Sequence, residues 1–408
     1  MSLKTKYRVD QSAAAVLPYD TIYNIEIGGK LFRLSGASLS SDSPSYFTSF
    51  FSHPENETKT LTVDRSSEVF AKIATHLQGY AIRPTDEYDL MRLYADASYF
   101  NLPKLSKQLA EDFYYVNVGG RSFNFPQSLV KGEGNTPNYF HFAFGTCLRN
   151  PYSISELKDL LRPPAMLPIV VDRSASLFAD LLDALWTENY KVRDETHREQ
   201  LLAECRYFRF FALEQKLIAH QIELNPFTNE EEILIMLPDV KKIGLSYDSN
   251  DKAIYRRPFV DSKDRTLVLQ IDSEELSLLI HTKLSFLSAL ATGNTLKRLK
   301  AFFGPLTKPL CDSEVKEDGT VVEKMRLYVK MENCTFTLNG LETKKNWYED
   351  FFLKDDKQPM VEGDVINVKL LKSQWTIQLQ NSKRLWFTGL LADGVLDSAS
   401  YNRRRGFI

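Results

Sequence analysis

"YYVNVGGRSFNF", residues 114–125, repeats the grammar of "IYNIEIGGKLFRL", residues 22–34. In each, apolar and polar residues alternate on either side of a Gly-Gly pair. That is the local signal of two half-buried strands joined by a tight turn, because both glycines accept positive φ without a Cβ clash. Gly28-Gly29 and Gly119-Gly120 stand 91 positions apart, and the same spacing pairs Phe32 with Phe123 and Leu34 with Phe125.

The order continues downstream. "SPSYFTSFF" from Ser43 answers to "TPNYFHFAF" from Thr136, setting Pro44 on Pro137 at a spacing of 93. "LTVDRSSEVFAKI" then answers to "PIVVDRSASLFAD", with Asp64 on Asp172, Arg65 on Arg173 and Phe70 on Phe178 at a spacing of 108. That spacing holds through Tyr99-Phe100 and Tyr207-Phe208 as far as Leu109 and Leu217. A period near 100 residues predicts a duplicated domain, and the step in spacing predicts an insertion near 145–164 of the second copy. Val69, Phe70, Ile73 and Leu77, like Leu177, Phe178, Leu181 and Leu185, recur at helical spacing behind Ser66 or Ser174 as N-cap. A further helix precedes the Tyr-Phe pair, and a last short one reaches Leu109 or Leu217.

Gly-Gly-x-x-Phe, Pro-x-Ser, the Val-Asp-Arg strand and the Tyr-Phe pair, in this order, resemble a BTB/POZ domain of the potassium-channel-tetramerisation branch. The second copy keeps the pattern with Asn138 at the family serine and Trp186-Thr187 in place of Gln78-Gly79. The whole arrangement resembles fungal growth and stress regulators of the Whi family. The resemblance implies an α+β fold with tandem BTB/POZ domains at 21–111 and 114–220, behind a flexible segment at 1–20. It implies a non-enzymatic scaffold or adaptor that pairs within the chain or self-associates, with cullin-3 or a signalling phosphatase as partner. A family-type cullin site would follow "SYFTSFF", making Phe50 and Phe51 candidate partner-binding residues beside their alternative role in packing.

After "NPFTNEEE" the texture changes. "MRLYVKM", "CTFTLNG", "DVINVKL" and "QWTIQLQ" alternate at period two and predict a β-rich domain over 228–397. Within it, "EELSLLIHTKLSFLSAL" running into "TLKRLKAFFG" predicts a helical segment, with Leu276, Leu279, Ile280 and Leu284 on one face. Residues 398–408 form a basic tail, expected to be solvated.

Composition fits a protein with ordinary cores: 43% hydrophobic, 25% charged, with 26 Phe and 19 Tyr. A net charge of -2, with no basic stripe interleaved with aromatics along the chain, predicts no nucleic-acid partner. Cys147, Cys205, Cys311 and Cys334 lack CxxC spacing, and no apolar run approaches a membrane span, so reduced thiols in cytoplasm or nucleus are expected. No GxGxxG, P-loop or HExxH pattern occurs, and no catalytic, cofactor or metal residue is expected. Asp64-Arg65 and Asp172-Arg173 point to opposite faces as strand neighbours, which suits a helix-start or interdomain hydrogen-bond role better than acid-base chemistry. Cys147 near His141 is the one thiol with a neighbouring base, and Cys205 reads as a core residue. A second reading makes the C-terminal domain a ligand sensor or enzyme, with Trp347, Tyr348, Trp375 and Trp386 lining a pocket.

Overall fold

A computed structural model describes residues 16–148, 165–315, 321–352, 364–381, 384–398 and 402. It divides into two compact units, Met1–Glu214 and Gln215–Ile408. In the first, β1 (Ile22–Ile27) and β2 (Lys30–Ser35) form the hairpin. The short helices α1 (Gly36–Ser40) and α2 (Tyr46–Phe51) precede β3 (Leu61–Val63), which joins β1 in parallel to give the order β2-β1-β3. Helices α3 (Ser67–Leu77), α4 (Glu87–Tyr99) and α5 (Pro103–Glu111) follow. After the single residue Asp112 the order begins again. β4 (Phe113–Val118) and β5 (Arg121–Pro126) form a hairpin, α6 (Tyr139–Cys147) follows, and β6 (Val170–Val171) joins β4 in parallel. Then come α7 (Ala175–Trp186), α8 (Glu195–Phe208) and α9 (Phe211–Leu217), the last crossing the division between the units. The start of the expected insertion is the end of α6, and 149–164 lie outside the described residues.

Both Gly-Gly turns have the expected hand, with φ of +53° and +79° at Gly28 and Gly29 and +57° and +80° at Gly119 and Gly120. A second constraint falls on the first glycine of each pair. A Cβ on Gly28 would lie 2.5 Å from the carbonyl oxygen of Arg65, and one on Gly119 would lie 2.3 Å from that of Arg173. The turn is therefore pressed against the exit of the parallel strand, where Ser66 or Ser174 caps the next helix. Behind the sheets, Phe47, Phe70 and Phe100 form one buried aromatic cluster and Phe140, Phe178 and Phe208 the other, with Phe32 and Phe123 edge-on to Phe70 and Phe178. Of the N-terminal segment, residues 1–15 lie outside the described residues. The remainder packs instead of hanging free: Leu17 is buried and its amide donates to Ser40 Oγ at 2.9 Å.

The second unit starts with strand earlier than 228. β7 (His220–Asn225) and β8 (Glu230–Met236) form a hairpin, followed by β9 (Leu245–Tyr247) and β10 (Ala253–Tyr255). The helix expected over 274–290 is instead strand. β11 (Arg265–His281) turns through Thr282–Ser285 into β12 (Phe286–Ala291), and only α10 (Gly293–Phe303) is helical. Much of β11 is buried on both faces, so it reads as a nearly continuous apolar run whose Leu and Ile spacing fits either period. Glu275 supplies the end of the helix, its Oε2 accepting from Thr295 N at 2.8 Å.

β13 (Cys311–Val315), β14 (Val321–Lys330), β15 (Thr335–Leu338), β16 (Leu341–Glu342), β17 (Val365–Gln380) and β18 (Arg384–Val395) complete the sheet. Its pairings close on themselves: β14 pairs β12, β12 pairs β11, β11 pairs β17, β17 pairs β18, and β18 returns to β14. The result is a five-stranded barrel, antiparallel except at the β14–β18 seam, filled by Leu278, Ile280, Leu327, Val368, Trp375 and Phe387 among others. Among the described residues no helix is long and apolar enough to cross a membrane.

The turn constraint is testable. Gly119→Ala meets a backbone oxygen, whereas a Cβ on Gly120 has open space. Both substitutions carry the positive-φ cost of about 1 kcal/mol, and Gly119→Ala adds a displacement of the β6 exit. Urea unfolding is expected to rank Gly119→Ala as clearly the more damaging; equal losses would contradict the close approach.

Candidate functional site

The arginines of the two Asp-Arg pairs are structural ties inside each repeat. Arg65 donates from Nε to Asp96 Oδ1 at 2.8 Å and also from Nη2, while its guanidinium lies 4.6 Å from the Tyr99 ring centre. Arg173 does the same to Glu204, at 3.2 and 2.6 Å, with Tyr207 again 4.6 Å away. Where a helix-start or interdomain hydrogen bond was expected of the Asp-Arg pairs, each arginine bonds from the β3 or β6 exit to α4 or α8 of the same repeat. Burial raises the Asp96 pKa, against the pull of Arg65.

A second shared tie had no signal in the aligned motifs. Asp42 is fully buried, and its oxygens accept from the amides of Lys104 and Leu105 at 2.7 and 2.9 Å, at the start of α5, with His76 Nε2 3.1 Å away. Asn135 stands in the same place, accepting from the amides of Ala212 and Leu213 at 3.1 and 3.3 Å. One acidic and one neutral residue do the same capping, which is why residue identity did not reveal the pair.

Phe50 and Phe51 lie in the core at 7% and 3% exposure, with Phe51 against Tyr23 at 4.6 Å, so neither ring is offered to a partner. Cys147 and Cys205 are both pushed above the ordinary thiol range by burial, the opposite of an activated nucleophile. Trp347 packs on Phe336, Trp375 lies inside the barrel and Trp386 outside it, so the aromatic residues expected around one pocket are dispersed. Among the described residues no three or more His, Cys, Asp or Glu gather as a metal site.

What the first unit does build is a contact between its repeats. The outward face of β4 meets α4, where Asn117 Nδ2 donates to Glu87 Oε1 at 3.0 Å, and the residue after α6 meets α4 as well, Tyr94 OH donating to the Leu148 carbonyl at 2.6 Å. Arg83 lies over Phe113 at 5.0 Å, and Gln127 Nε2 donates to the Ala110 carbonyl at 2.7 Å. Glu87 and Tyr115 are sealed there at 2% and 5% exposure. Beside this contact a cleft of about 220 Å³ opens among Ile82, Arg83, Pro84, Gln108 and Phe113.

The contact is asymmetric, helix of one repeat to sheet of the other, and leaves each partner face used once. The sheet face of the first repeat, with Ile22, Glu26, Leu31 and Arg33, remains accessible, as does the α8 face with Glu195 and Glu199. Glu26 occupies the position of Asn117, and Glu195 that of Glu87.

A hairpin-led sheet, its clustered helices and the capped turn define a BTB/POZ protein: residues 23–109 match the BTB/POZ domain family. Residues 236–405 match the family described as the YLR108C C-terminal domain. The chain is 33% identical over 357 residues to the uncharacterized protein YDR132C of Saccharomyces cerevisiae, spanning 72% of each. To the BTB/POZ domain-containing protein YLR108C of the same yeast it is 39% identical over 243 residues, 58% of this chain and 49% of that one. The chain belongs to the family of these yeast proteins, with a BTB/POZ domain followed by a YLR108C-type C-terminal domain.

Asp42 gives the site a pH signature. Burial pushes its pKa up, but the hydrogen bonds from His76, Lys104 and Leu105 outweigh this and hold it below 3.8. A carboxyl depressed on folding contributes stability above its unfolded pKa and loses it as pH falls through the folded value. Asp42→Asn, the residue type that the second repeat uses, is expected to flatten the loss of urea stability below about pH 4. An unchanged acid limb would contradict the assignment.

Proposed function

We propose that this chain is a non-enzymatic interaction scaffold in which residues 113–217 act as a second, divergent BTB/POZ domain paired to the first within the chain. BTB/POZ domains are protein-interaction and self-association modules, and the family is typically non-enzymatic. The observation that carries the reading is the Glu87–Asn117 contact, an intramolecular helix-to-sheet docking of two repeats of the same topology. Tethering by the single residue between α5 and β4 gives this pairing an effective concentration of roughly millimolar or above. Adding a second chain head to tail at the open faces would set Glu26 against Glu195, which disfavours further copies. The exposed sheet face with Ile22 and Leu31 is then left for a different protein, and the C-terminal domain for a client.

Cullin-3 and a signalling phosphatase are the two partner classes put to the test, the second with a growth or stress role in cytoplasm or nucleus. Quantitative co-purification with the intact chain, beside an Ile22→Arg/Leu31→Arg variant, is expected to recover one of them with the parent chain and lose it with the variant. Cullin-3 would define a ligase adaptor; phosphatase subunits would define a signalling scaffold. The same partners on both chains, or neither class on the parent, would overturn the reading.

A further inference from the structure

The barrel seam carries a surface that no motif announced. Met325, Leu327 and Val329 of β14 point inward, so Arg326, Tyr328 and Lys330 point out. Register places Tyr328 between Ser288 of β12 and Trp386 of β18, and Lys330 beside Thr388. Tyr328 and Trp386 stack at 5.3 Å and 28°, with Lys330 Nζ 5.1 Å from the Trp386 ring centre. One strand over, Phe286 stacks on His281 at 4.0 Å, and His281 Nε2 lies 2.9 Å from Ser288 Oγ. Phe286 and Tyr328 remain 41% and 39% exposed, although the packing around them is already complete on the barrel side.

Charge and polarity follow the rings. Arg326, Lys330 and Arg384 are exposed on this face, and among the described residues none has a carboxylate partner within salt-bridge distance. Beside Trp386 a depression of about 220 Å³ is lined by Lys330, Asn250, Gln378, Gln380 and Asn381, with Asp251 the lone carboxylate there. Gln378 Nε2 already donates to the Asn250 carbonyl at 3.1 Å, which fixes one amide and leaves its oxygen free to accept.

We propose that this strip binds single-stranded nucleic acid. Bases stack on Phe286 and on the Tyr328–Trp386 pair, phosphates lie along Arg326, Lys330 and Arg384, and the amides beside Trp386 meet base edges. Flat exposed rings interleaved with unpaired cations are what a sequence-tolerant single-strand site requires. An acidic peptide would use the cations but has no need of the rings or the amide-lined depression. The net charge of -2 makes the attraction local, so binding belongs to this face rather than to the chain at large.

The test uses the intact chain and a fluorescein-labelled oligothymidylate or oligouridylate of about 12 nucleotides. Fluorescence anisotropy is expected to report saturable binding, with quenching of tryptophan emission. The affinity should fall with salt at a log-log slope near -2, about 0.7 for each of three phosphate contacts. Tyr328→Ala should weaken binding by roughly tenfold or more, one stacked base lost. Because Tyr328 also lines the seam, Arg326→Glu/Lys330→Glu supplies a second variant at solvent-facing positions, with the unfolding midpoint as control. This variant should reduce affinity at least about tenfold. No binding at about 100 µM chain in about 50 mM salt, unchanged affinity in the charge variant, or preferential capture of an acidic or phosphorylated peptide would each overturn the proposal.

Discussion

The first unit depends on an arginine at the exit of a three-stranded sheet. Arg65 and Arg173 each place a carbonyl against the hairpin glycine and a guanidinium against an acid on the helix two elements later. Strand, turn and helix are thus locked by one residue. Neither acid has the full solvation of a surface carboxylate, and a buried acid that loses its arginine is left as an uncompensated charge, a loss of about 3–5 kcal/mol. The stacked Tyr99 or Tyr207 holds the guanidinium flat, and the Phe that follows fills the core behind it. Chain order Val-Asp-Arg to Tyr-Phe is the linear trace of this lock.

With the sheet fixed, its outward face becomes a docking surface whose use depends on composition. In the second repeat Phe113, Tyr115 and Asn117 suit burial against α4. In the first, Ile22, Asn24 and Glu26 occupy those places, and no helix among the described residues covers them in the equivalent way. One fold therefore presents a closed face and an open one. The barrel of the second unit follows a different logic: its seam is parallel and short, and the Tyr328–Trp386 stack that accompanies it doubles as exposed surface.

The hairpins, the Val-Asp-Arg strands and the helix order of the first unit were legible because turn chemistry and period are local, and because each signal appears twice in the sequence; that the third strand pairs in parallel was not. The Asp42–Asn135 tie was hidden, since a hydrogen-bond acceptor role is shared by two residue types and leaves no repeated letter. Phe50 and Phe51 were ambiguous for the opposite reason: a Phe pair reads equally as anchor or as core until burial is known. The run Leu276–Ile280 was misread because a strand buried on both faces loses the alternation that distinguishes it from a helix. The aromatic and cationic strip could not be read at all, as Phe286, Tyr328 and Trp386 come from three strands about 40 to 60 residues apart and meet only through barrel closure.

The central claim, that the two repeats dock within one chain, rests on Glu87 and Asn117. A double-mutant cycle of Glu87→Ala and Asn117→Ala, read by urea unfolding of the intact chain, measures their coupling directly. A hydrogen bond sealed from water predicts a coupling of about 1 kcal/mol. Additivity within about 0.3 kcal/mol would mean that the two residues do not meet in solution and would contradict the docked pair.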